Sequence, residues 1–258
     1  MKERFKFSTI ENIECSEANI FIHGYSAGRD IQDRIELKDQ IPISVRNSLN
    51  IFAFWPSSHI KELDATSKVV IAGISRIHPA ASLAALAVDR VAHFAKIRSK
   101  AERMGTVLFE QLNDYLSKEH PEVKKINLIG HSLGGRLIVS ALTNKIQSTF
   151  MDRISIGDVL LMAAAVEVNN CASSLMLNII NGRLINAYSK SDRILLANVD
   201  ENCLGRNEVK FFENINMNNY GHSDYWPNLY EVMKKTDFNY FNHSNNNERS
   251  ARLNRLIE

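Results

Sequence analysis

Residues Lys124–Ser140, with the sequence KKINLIGHSLGGRLIVS, decide the fold of this chain. Lys124–Ile129 is apolar at three positions and predicts a short buried strand, whereas Gly135–Leu142 carries apolar residues at helical spacing. Between them stands Gly130-His131-Ser132-Leu133-Gly134. Strand, Gly-x-Ser-x-Gly and helix in this order predict a tight, strained turn that holds the serine at the N-terminus of the helix.

The two glycines of this turn are expected to be required for steric reasons. A side chain at Gly130 or Gly134 should collide with the neighbouring strand and helix, and the helix N-terminus favours a developing negative charge near Ser132. The three fixed positions alone arise by chance in roughly one chain of this length in ten. The motif alone is therefore weak evidence. The flanking strand and helix, together with the other site residues, must decide whether it marks a functional serine.

Composition fits one globular domain with a large core. The chain has 258 residues, of which 45% are hydrophobic and 23% charged. Its 31 basic and 29 acidic residues give a formal net charge of +2. That balance gives no reason to expect nucleic acid or a strongly anionic surface as a partner.

Cysteine usage and the N-terminal sequence indicate the compartment. Cys15, Cys171 and Cys203 are odd in number and far apart, so neither a disulfide framework nor a structural zinc site is expected. Met1–Phe7 lacks the apolar core of a signal peptide, and no stretch reaches the ~18 apolar residues of a membrane span. We expect a cytoplasmic protein. Transient membrane contact and secretion without an N-terminal signal stay open, and the oligomeric state is not predicted.

Apolar runs alternating with helical patterns predict a mostly parallel sheet with helices on both faces. Lys6–Ile10 would add an antiparallel edge strand. The six predicted parallel strands are Asn19–Ile22, Ile51–Phe54, Ile126–Ile129, Val159–Ala163, Leu184–Tyr188 and Val209–Phe212.

A helical insertion is expected before the serine-bearing strand, within about residues 60–100. Ala101–Leu116 predicts an amphipathic helix, and the Ala- and Leu-rich run Ala80–Val91 predicts one or two further helices. Two interpretations of that run stay open: an ordinary core helix, or a cap that shapes an acyl pocket. We expect a single domain over residues 1–236, followed by a polar tail over residues 237–258.

A serine hydroxyl needs a base, and the base needs an orienting acid. Asp192 follows the fifth strand and His222 follows the sixth, in polar loops where such partners stand. His222 is the only histidine between Ser132 and the polar tail, where His243 lies. Asp192 has a second interpretation, as the N-cap of the run Arg193–Leu196. The lesser candidates for the acid are Asp158, Glu167 and Asp200.

A tetrahedral intermediate needs two N–H donors. The backbone of Leu133 and that of Tyr25, in the turn His23–Gly28, are the candidates, because Gly24 allows the chain to turn sharply. Gly24, Ser26 and His131 are the candidate substrate-binding residues, although His131 is also expected to pack under the turn. The sequence contains no phosphate-binding glycine loop and no HExxH motif, so we expect neither a cofactor nor a metal.

Five segments together resemble a known superfamily. They are His23-Gly24-Tyr25, Trp55-Pro56-Ser57, Gly130–Gly135, Tyr188–Asp192 and Gly221–Tyr225. The set resembles the α/β-hydrolases, and in particular a little-characterised family that includes the eukaryotic transmembrane-and-coiled-coil-domain proteins and soluble bacterial members. The resemblance covers roughly Ile20–Tyr230. This chain lacks the membrane segments of the eukaryotic members, so their location is not carried over.

The resemblance implies an α/β-hydrolase fold with Ser132 as nucleophile, Asp192 as acid and His222 as base. The function expected from it is hydrolysis of a carboxylic ester or thioester, with a lipid or fatty-acyl group as a candidate substrate. Two alternatives remain: a peptidase or amidase with the same three residues, and a non-enzymatic interaction module on a hydrolase fold.

Overall fold

The computed structural model describes residues 3–10, 13–25, 39–42, 45, 48–57, 79–144, 150, 152–198 and 202–240. Within these ranges, the side chains of residues 79–93, 197–198 and 240 are not described. The strands are β1 (Lys6–Thr9), β2 (Glu17–Ile22), β3 (Leu49–Phe54), β4 (Lys125–His131), β5 (Ser155–Met162), β6 (Leu184–Tyr188) and β7 (Glu213–Asn216). The helices are α1 (Pro79–Glu119), α2 (Leu133–Thr143), α3 (Asn170–Leu177), α4 (Arg193–Asn198) and α5 (Leu229–Thr236), with short 3-10 turns at Leu204–Arg206 and Phe238–Tyr240.

The strands form one seven-stranded sheet in the order β1-β3-β2-β4-β5-β6-β7. β1 pairs antiparallel with β3, and the other pairs are parallel. Every residue of β3 and of β6 is buried, as expected for strands covered on both faces. This order, with the turn between β4 and α2, is that of the α/β-hydrolase fold, as the sequence predicted.

The strand order also determines where a site forms. The chain passes from β2 to β3 on one side and then returns to β4 on the other side of β2. In open α/β sheets, ligands bind outside the carboxyl ends of the strands at such a reversal. The carboxyl ends of β2 and β4 are Ile22 and His131, so the loops after these two residues begin side by side.

The turn after β4 leaves no room for side chains at its glycines. A Cβ on Gly134 would lie 2.2 Å from the carbonyl oxygen of Ile22, and one on Gly130 would lie 2.6 Å from Ile138 Cδ1 and 2.9 Å from the backbone nitrogen of Gly135. The expected collision with the neighbouring strand and helix is confirmed. We call residues Gly130–Gly134 the elbow.

The predicted sixth parallel strand is wrong in position. Val209–Phe212 is not a strand, and β7 begins only at Glu213. The Asn214 side chain accepts a hydrogen bond from Val209 N at 3.0 Å and donates to Val209 O at 2.9 Å, which folds the segment into a turn. Phe211 lies in the left-handed region with φ 74°, a conformation that a strand does not contain.

The helix before β4 is a single element. α1 is continuous over 41 residues and joins Ala80–Val91 to Ala101–Leu116, where one or two separate extra helices were predicted. The predicted apolar stripe is buried at Met104, Leu108, Leu112 and Leu116, and this half of α1 packs on α2.

No helix in the described ranges is both long and apolar enough to cross a membrane.

The folded part of the chain continues past Thr236. Phe238 is buried, and Asn239 N donates to Asp158 Oδ2 at 2.9 Å. Arg183 donates to the carbonyl oxygens of Thr236 and Asp237, so the turn after α5 is fixed to the sheet.

Buried asparagines link the central strands side chain to side chain. Asn19 donates to Asn50 Oδ1 at 3.0 Å, and Asn127 donates to Asn19 Oδ1 at 3.0 Å. Asn127 Oδ1 in turn accepts the backbone N–H of Asp158 at 2.9 Å. These residues face each other in the strand register. Their hydrogen bonds form a side-chain ladder that connects β3, β2, β4 and β5 at one level of the sheet.

Replacing Asn127 by alanine should destabilise the fold, because it leaves the Asp158 N–H and the Asn19 amide oxygen buried without partners. We expect the free energy of unfolding to fall by roughly 3 kcal/mol, measured by urea denaturation. The exposed Asn218 is the control: Asn218→Ala should change stability by less than about 0.5 kcal/mol. Equal stabilities of the two variants would contradict the ladder.

Candidate active site

Three predicted residues from three separate loops meet at the carboxyl edge of the sheet. Ser132 follows β4, Asp192 follows β6 and His222 follows β7. The distance between His222 Nε2 and Ser132 Oγ is 2.8 Å, and that between His222 Nδ1 and Asp192 Oδ2 is 2.7 Å. Asp192 is fully buried and Ser132 nearly so, which leaves His222 as the most accessible of the three. The arrangement can relay a proton from the serine to the histidine.

Ser132 stands in a strained backbone conformation. Its φ of 57° and ψ of −119° lie in a region that L residues rarely adopt. The surrounding backbone enforces it: Ser132 N donates to Met162 O at 3.0 Å, and Ser132 O accepts from Gly135 N and Ala165 N at 3.1 Å each. The start of α2 and the end of β5 therefore fix the position of Oγ.

Asp192 makes the contacts that each of the two interpretations requires. Its Oδ1 accepts the backbone N–H of Leu195 at 2.9 Å, which is N-capping of α4, while its Oδ2 accepts from His222. The cap fixes the carboxylate so that only one oxygen faces the imidazole.

The two described lesser candidates for the acid, Asp158 and Glu167, have other surroundings. Asp158 accepts from the backbone N–H groups of Arg183 and Asn239, and Glu167 is exposed. Asp200 lies outside the described residues.

The loop after β2 lies directly against the serine. A Cβ on Gly24 would be 2.9 Å from Ser132 Cβ and 3.4 Å from its Oγ, so only glycine fits there. Tyr25 follows and is 42% exposed, next to the serine rather than in the core. Leu133 is the first residue of α2, where a backbone N–H has no intrahelical acceptor. Ser26 lies outside the described residues.

His23 was expected to be a buried residue that shapes that loop, but its contact with Trp55 was not predicted from the sequence. Trp55 Nε1 donates to the carbonyl oxygen of His23 at 2.9 Å, and both side chains are buried. The His23 ring also packs against Phe54 and Trp55. The segment Trp55-Pro56-Ser57 was noted only for its resemblance, and its position directly after β3 was the available signal.

The His131 side chain is buried and lines the cavity beside Ser132. Its Nε2 donates to the main-chain oxygen of His222 at 2.8 Å. Burial, reinforced by the nearby His222, lowers the pKa of His131 to about 3. The imidazole is therefore neutral at ordinary pH.

A cavity of about 420 Å³ opens beside Ser132. Its apolar lining residues are Phe94, Ile194, Leu195, Trp226 and Pro227; the others are His23, Gly24, Tyr25, Gln40, His131, Ser132, His222 and Ser223. No Lys, Arg, Asp or Glu is among these lining residues. None of the five apolar residues was predicted to line a cavity, although Ile194 follows Asp192 by two positions and Trp226 follows His222 by four.

Cys203 is a buried thiol that takes no part in these hydrogen bonds. Burial raises the pKa of Cys203 to about 11, so its thiol is a weak nucleophile. In the ranges that the structure describes, no three His, Cys, Asp or Glu side chains are grouped closely enough to hold a metal ion.

The two roles of Asp192 can be separated by substitution. Asparagine keeps an oxygen that can cap α4, whereas alanine removes both contacts. We expect Asp192→Ala to have a free energy of unfolding about 1 kcal/mol lower than Asp192→Asn, measured by urea denaturation. Asn169, which caps α3 through Ala172 N at 2.9 Å, is the matched control: Asn169→Ala should lose a similar amount. Equal stabilities of the two Asp192 variants would show that the cap contributes nothing.

Solved structures with a similar chain path include several hydrolases. A CIB-like hydrolase from Thermoplasma acidophilum is 13% identical with a TM-score of 0.44, and covers 90% of this chain and 96% of its own. Esterase PE8 is 12% identical with a TM-score of 0.44, and covers 90% and 99%. Lipase BlEst2 from Bacillus licheniformis is 12% identical with a TM-score of 0.44, and covers 89% and 96%. Likenesses this distant transfer no activity to this chain.

No curated protein matches the sequence. Residues 60–239 match a family model described as "Protein of unknown function (DUF726)". The match spans well over half of the chain and includes Ser132, Asp192 and His222. It agrees with the resemblance to a little-characterised family that the sequence indicated. The chain belongs to this DUF726 family and has the α/β-hydrolase fold.

Proposed function

We propose that this chain is a serine hydrolase that cleaves carboxylic esters or thioesters. Ser132 is the nucleophile, His222 the general base and Asp192 the acid that orients it. The observation that supports this most strongly is the continuous hydrogen-bonded line from Asp192 through His222 to Ser132, with distances of 2.7 and 2.8 Å. A nucleophile, a base in contact with it and a group that orients the base make up the machinery of acyl transfer.

In the first step, Ser132 Oγ attacks the acyl carbon and its proton passes to His222 Nε2. The imidazole becomes positively charged, and its Nδ1–H donates to Asp192 Oδ2. Because that carboxylate is buried and capped, it holds the imidazole in the tautomer that leaves Nε2 free to accept.

The negative charge that develops on the carbonyl oxygen requires donors. The backbone N–H of Leu133 and that of Tyr25 are the proposed pair, at the start of α2 and in the loop that lies against Ser132. A donor of this kind contributes about 3 kcal/mol to transition-state stabilisation. The positive end of the α2 dipole acts in the same direction.

In the second half of the reaction, His222 gives its proton to the leaving alcohol or thiol. Water then enters, loses a proton to His222 and attacks the acyl carbon of the acyl-serine. The tetrahedral intermediate collapses as His222 returns the proton to Ser132 Oγ, which releases the acid. Every proton is handled by His222, so the cycle requires no cofactor.

The cavity supports an apolar group as part of the substrate. Phe94, Ile194 and Trp226 come from three different parts of the chain and present hydrocarbon to the same space. With no Lys, Arg, Asp or Glu in the described lining, a charged group would lose hydration there without gaining an ion pair. We therefore propose a fatty-acyl or other lipid ester as the substrate.

Removing the Ser132 hydroxyl should abolish turnover and leave the fold intact, because the side chain makes no core contact that alanine loses. We expect Ser132→Ala to lower kcat for a 4-nitrophenyl ester by about 10⁴-fold or more. A fluorophosphonate probe should modify Ser132 in the native protein, located by peptide mass, and should fail to modify the His222→Ala variant. A folded protein that does not react with the probe would count against the serine hydrolase and favour the interaction module. Cleavage of peptides in preference to esters would favour the peptidase.

Chain length should govern activity if the acyl group occupies the cavity. We expect kcat/KM for 4-nitrophenyl esters to rise about fourfold per added methylene until the cavity is full. Ile194 and Leu196 give a matched pair, since both are 48% exposed on α4 but only Ile194 is among the cavity-lining residues. Ile194→Asp should lower kcat/KM for the octanoyl ester by about tenfold and spare the acetyl ester, while Leu196→Asp should affect neither. Equal effects of the two substitutions would place the acyl group elsewhere.

A further inference from the structure

His131 makes a contact that the reaction scheme does not use. It is the last residue of β4, directly before Ser132, and is 7% exposed. Its Nε2 lies 2.8 Å from the main-chain oxygen of His222. A carbonyl oxygen only accepts hydrogen bonds, so Nε2 carries the proton and donates it.

The His131 ring also packs on the loop that holds His222. Its centroid lies 4.9 Å from that of His222, 5.9 Å from Tyr225 and 6.0 Å from Trp226. His131 therefore touches both the backbone and the imidazole of His222, and the aromatic residues that follow it. A single residue at the end of a central strand thus contacts several residues of the loop that holds His222.

The donor stays in place over a wide pH range. Burial is the main reason that the pKa of His131 falls to about 3, and the neighbouring His222 and His23 act in the same direction. Asp192 and the bond to the His222 carbonyl act in the opposite direction. Tyr225, the other ionisable group against the ring, has a raised pKa and stays neutral. His131 is thus uncharged at neutral pH.

The hydrogen bonds within the His222 loop are local. Gly221 N donates to Asp224 Oδ2 at 2.6 Å, and Asp224 N donates to Gly221 O at 3.2 Å, which closes a local turn. That turn is internal to the loop and does not connect it to the sheet. Ser223 and Asp224 are exposed. The bond from His131 connects His222 itself to β4, the strand that Ser132 directly follows.

We propose that His131 is a positioning residue: by holding the main-chain oxygen of His222, it fixes the distance between the imidazole and Ser132 Oγ. The proposal rests on the function proposed above. Nucleophile and base are then located by two consecutive residues, the last residue of β4 and the one that follows it. A misplacement of the reacting groups by about 1 Å costs on the order of 100-fold in rate, so this support matters more for turnover than for substrate binding.

Two substitutions separate the hydrogen bond from the packing. His131→Phe keeps a ring in the same space but removes the donor, whereas His131→Gln keeps an N–H of similar reach. We expect the phenylalanine variant to lower kcat for 4-nitrophenyl butyrate by roughly tenfold with KM within about twofold. The rate of Ser132 modification by a fluorophosphonate should fall in parallel. The glutamine variant should recover most of both rates.

His120→Phe is the matched control. His120 is also buried, and its Nε2 lies 3.1 Å from Thr9 Oγ1, near the opposite end of the sheet. This variant should lose stability and keep its kcat. A folded His131→Phe variant with unchanged kcat would overturn the proposal, as would equal losses of kcat in His131→Phe and His120→Phe.

A second measurement needs neither turnover nor a variant. In the native protein, NMR of ¹⁵N-labelled histidine should show a neutral His131 with a proton on Nε2 that is protected from exchange and does not titrate above pH 4.5. A His131 protonated only on Nδ1 would overturn the hydrogen bond. A protected proton in a protein that neither turns over esters nor reacts with the probe would instead overturn the proposed function and leave the bond intact.

Discussion

The close approach of the ends of β2 and β4 is the constraint on which the candidate site depends. A Cβ on Gly134 would be 2.2 Å from the Ile22 carbonyl oxygen, and a Cβ on Gly24 would be 2.9 Å from Ser132 Cβ. This contact holds Ser132 at φ 57° and brings the loop after β2 to the serine. The strain at Ser132 persists because hydrogen bonds from β5 and α2 determine the backbone on both sides. The proposed nucleophile and its proposed oxyanion donors thus belong to one rigid unit.

The other two residues reach that unit on loops, and each is held by a contact with regular structure. Asp192 uses one carboxylate oxygen to cap α4 and offers the other to His222. His222 has its main-chain oxygen bound by His131 of β4. Each residue is therefore held by a hydrogen bond to a helix or a strand. The side-chain distances do not rest on the conformation of the loops alone.

The fold could be predicted because its parallel strands are short, apolar and separated by helical patterns. The prediction was wrong where side chains override that pattern: Asn214 folds Val209–Phe212 into a turn, so the strand begins later. The meeting of Ser132, Asp192 and His222 followed from residue types and their order along the chain. The bond from His131 to His222 could not be predicted, because it joins residues 91 positions apart and depends on the path of a loop. For the same reason, the sequence could not show that Asp192 caps a helix and contacts His222 at once.

The distribution of charge explains why the apolar cavity can lie next to the hydrogen-bonded residues Asp192, His222 and Ser132. Asp192 is the one carboxylate in contact with His222 in the described part of the chain, and His131 is neutral. In the proposed reaction, proton transfer makes an ion pair of His222 and Asp192 at the moment when the oxyanion forms. The positive charge on His222 then faces Asp192, and the negative charge on the oxyanion faces the proposed backbone donors. The low dielectric of the apolar surroundings strengthens both interactions. A charged substrate group in the same cavity would disturb this balance, which is the electrostatic reason to expect uncharged acyl chains.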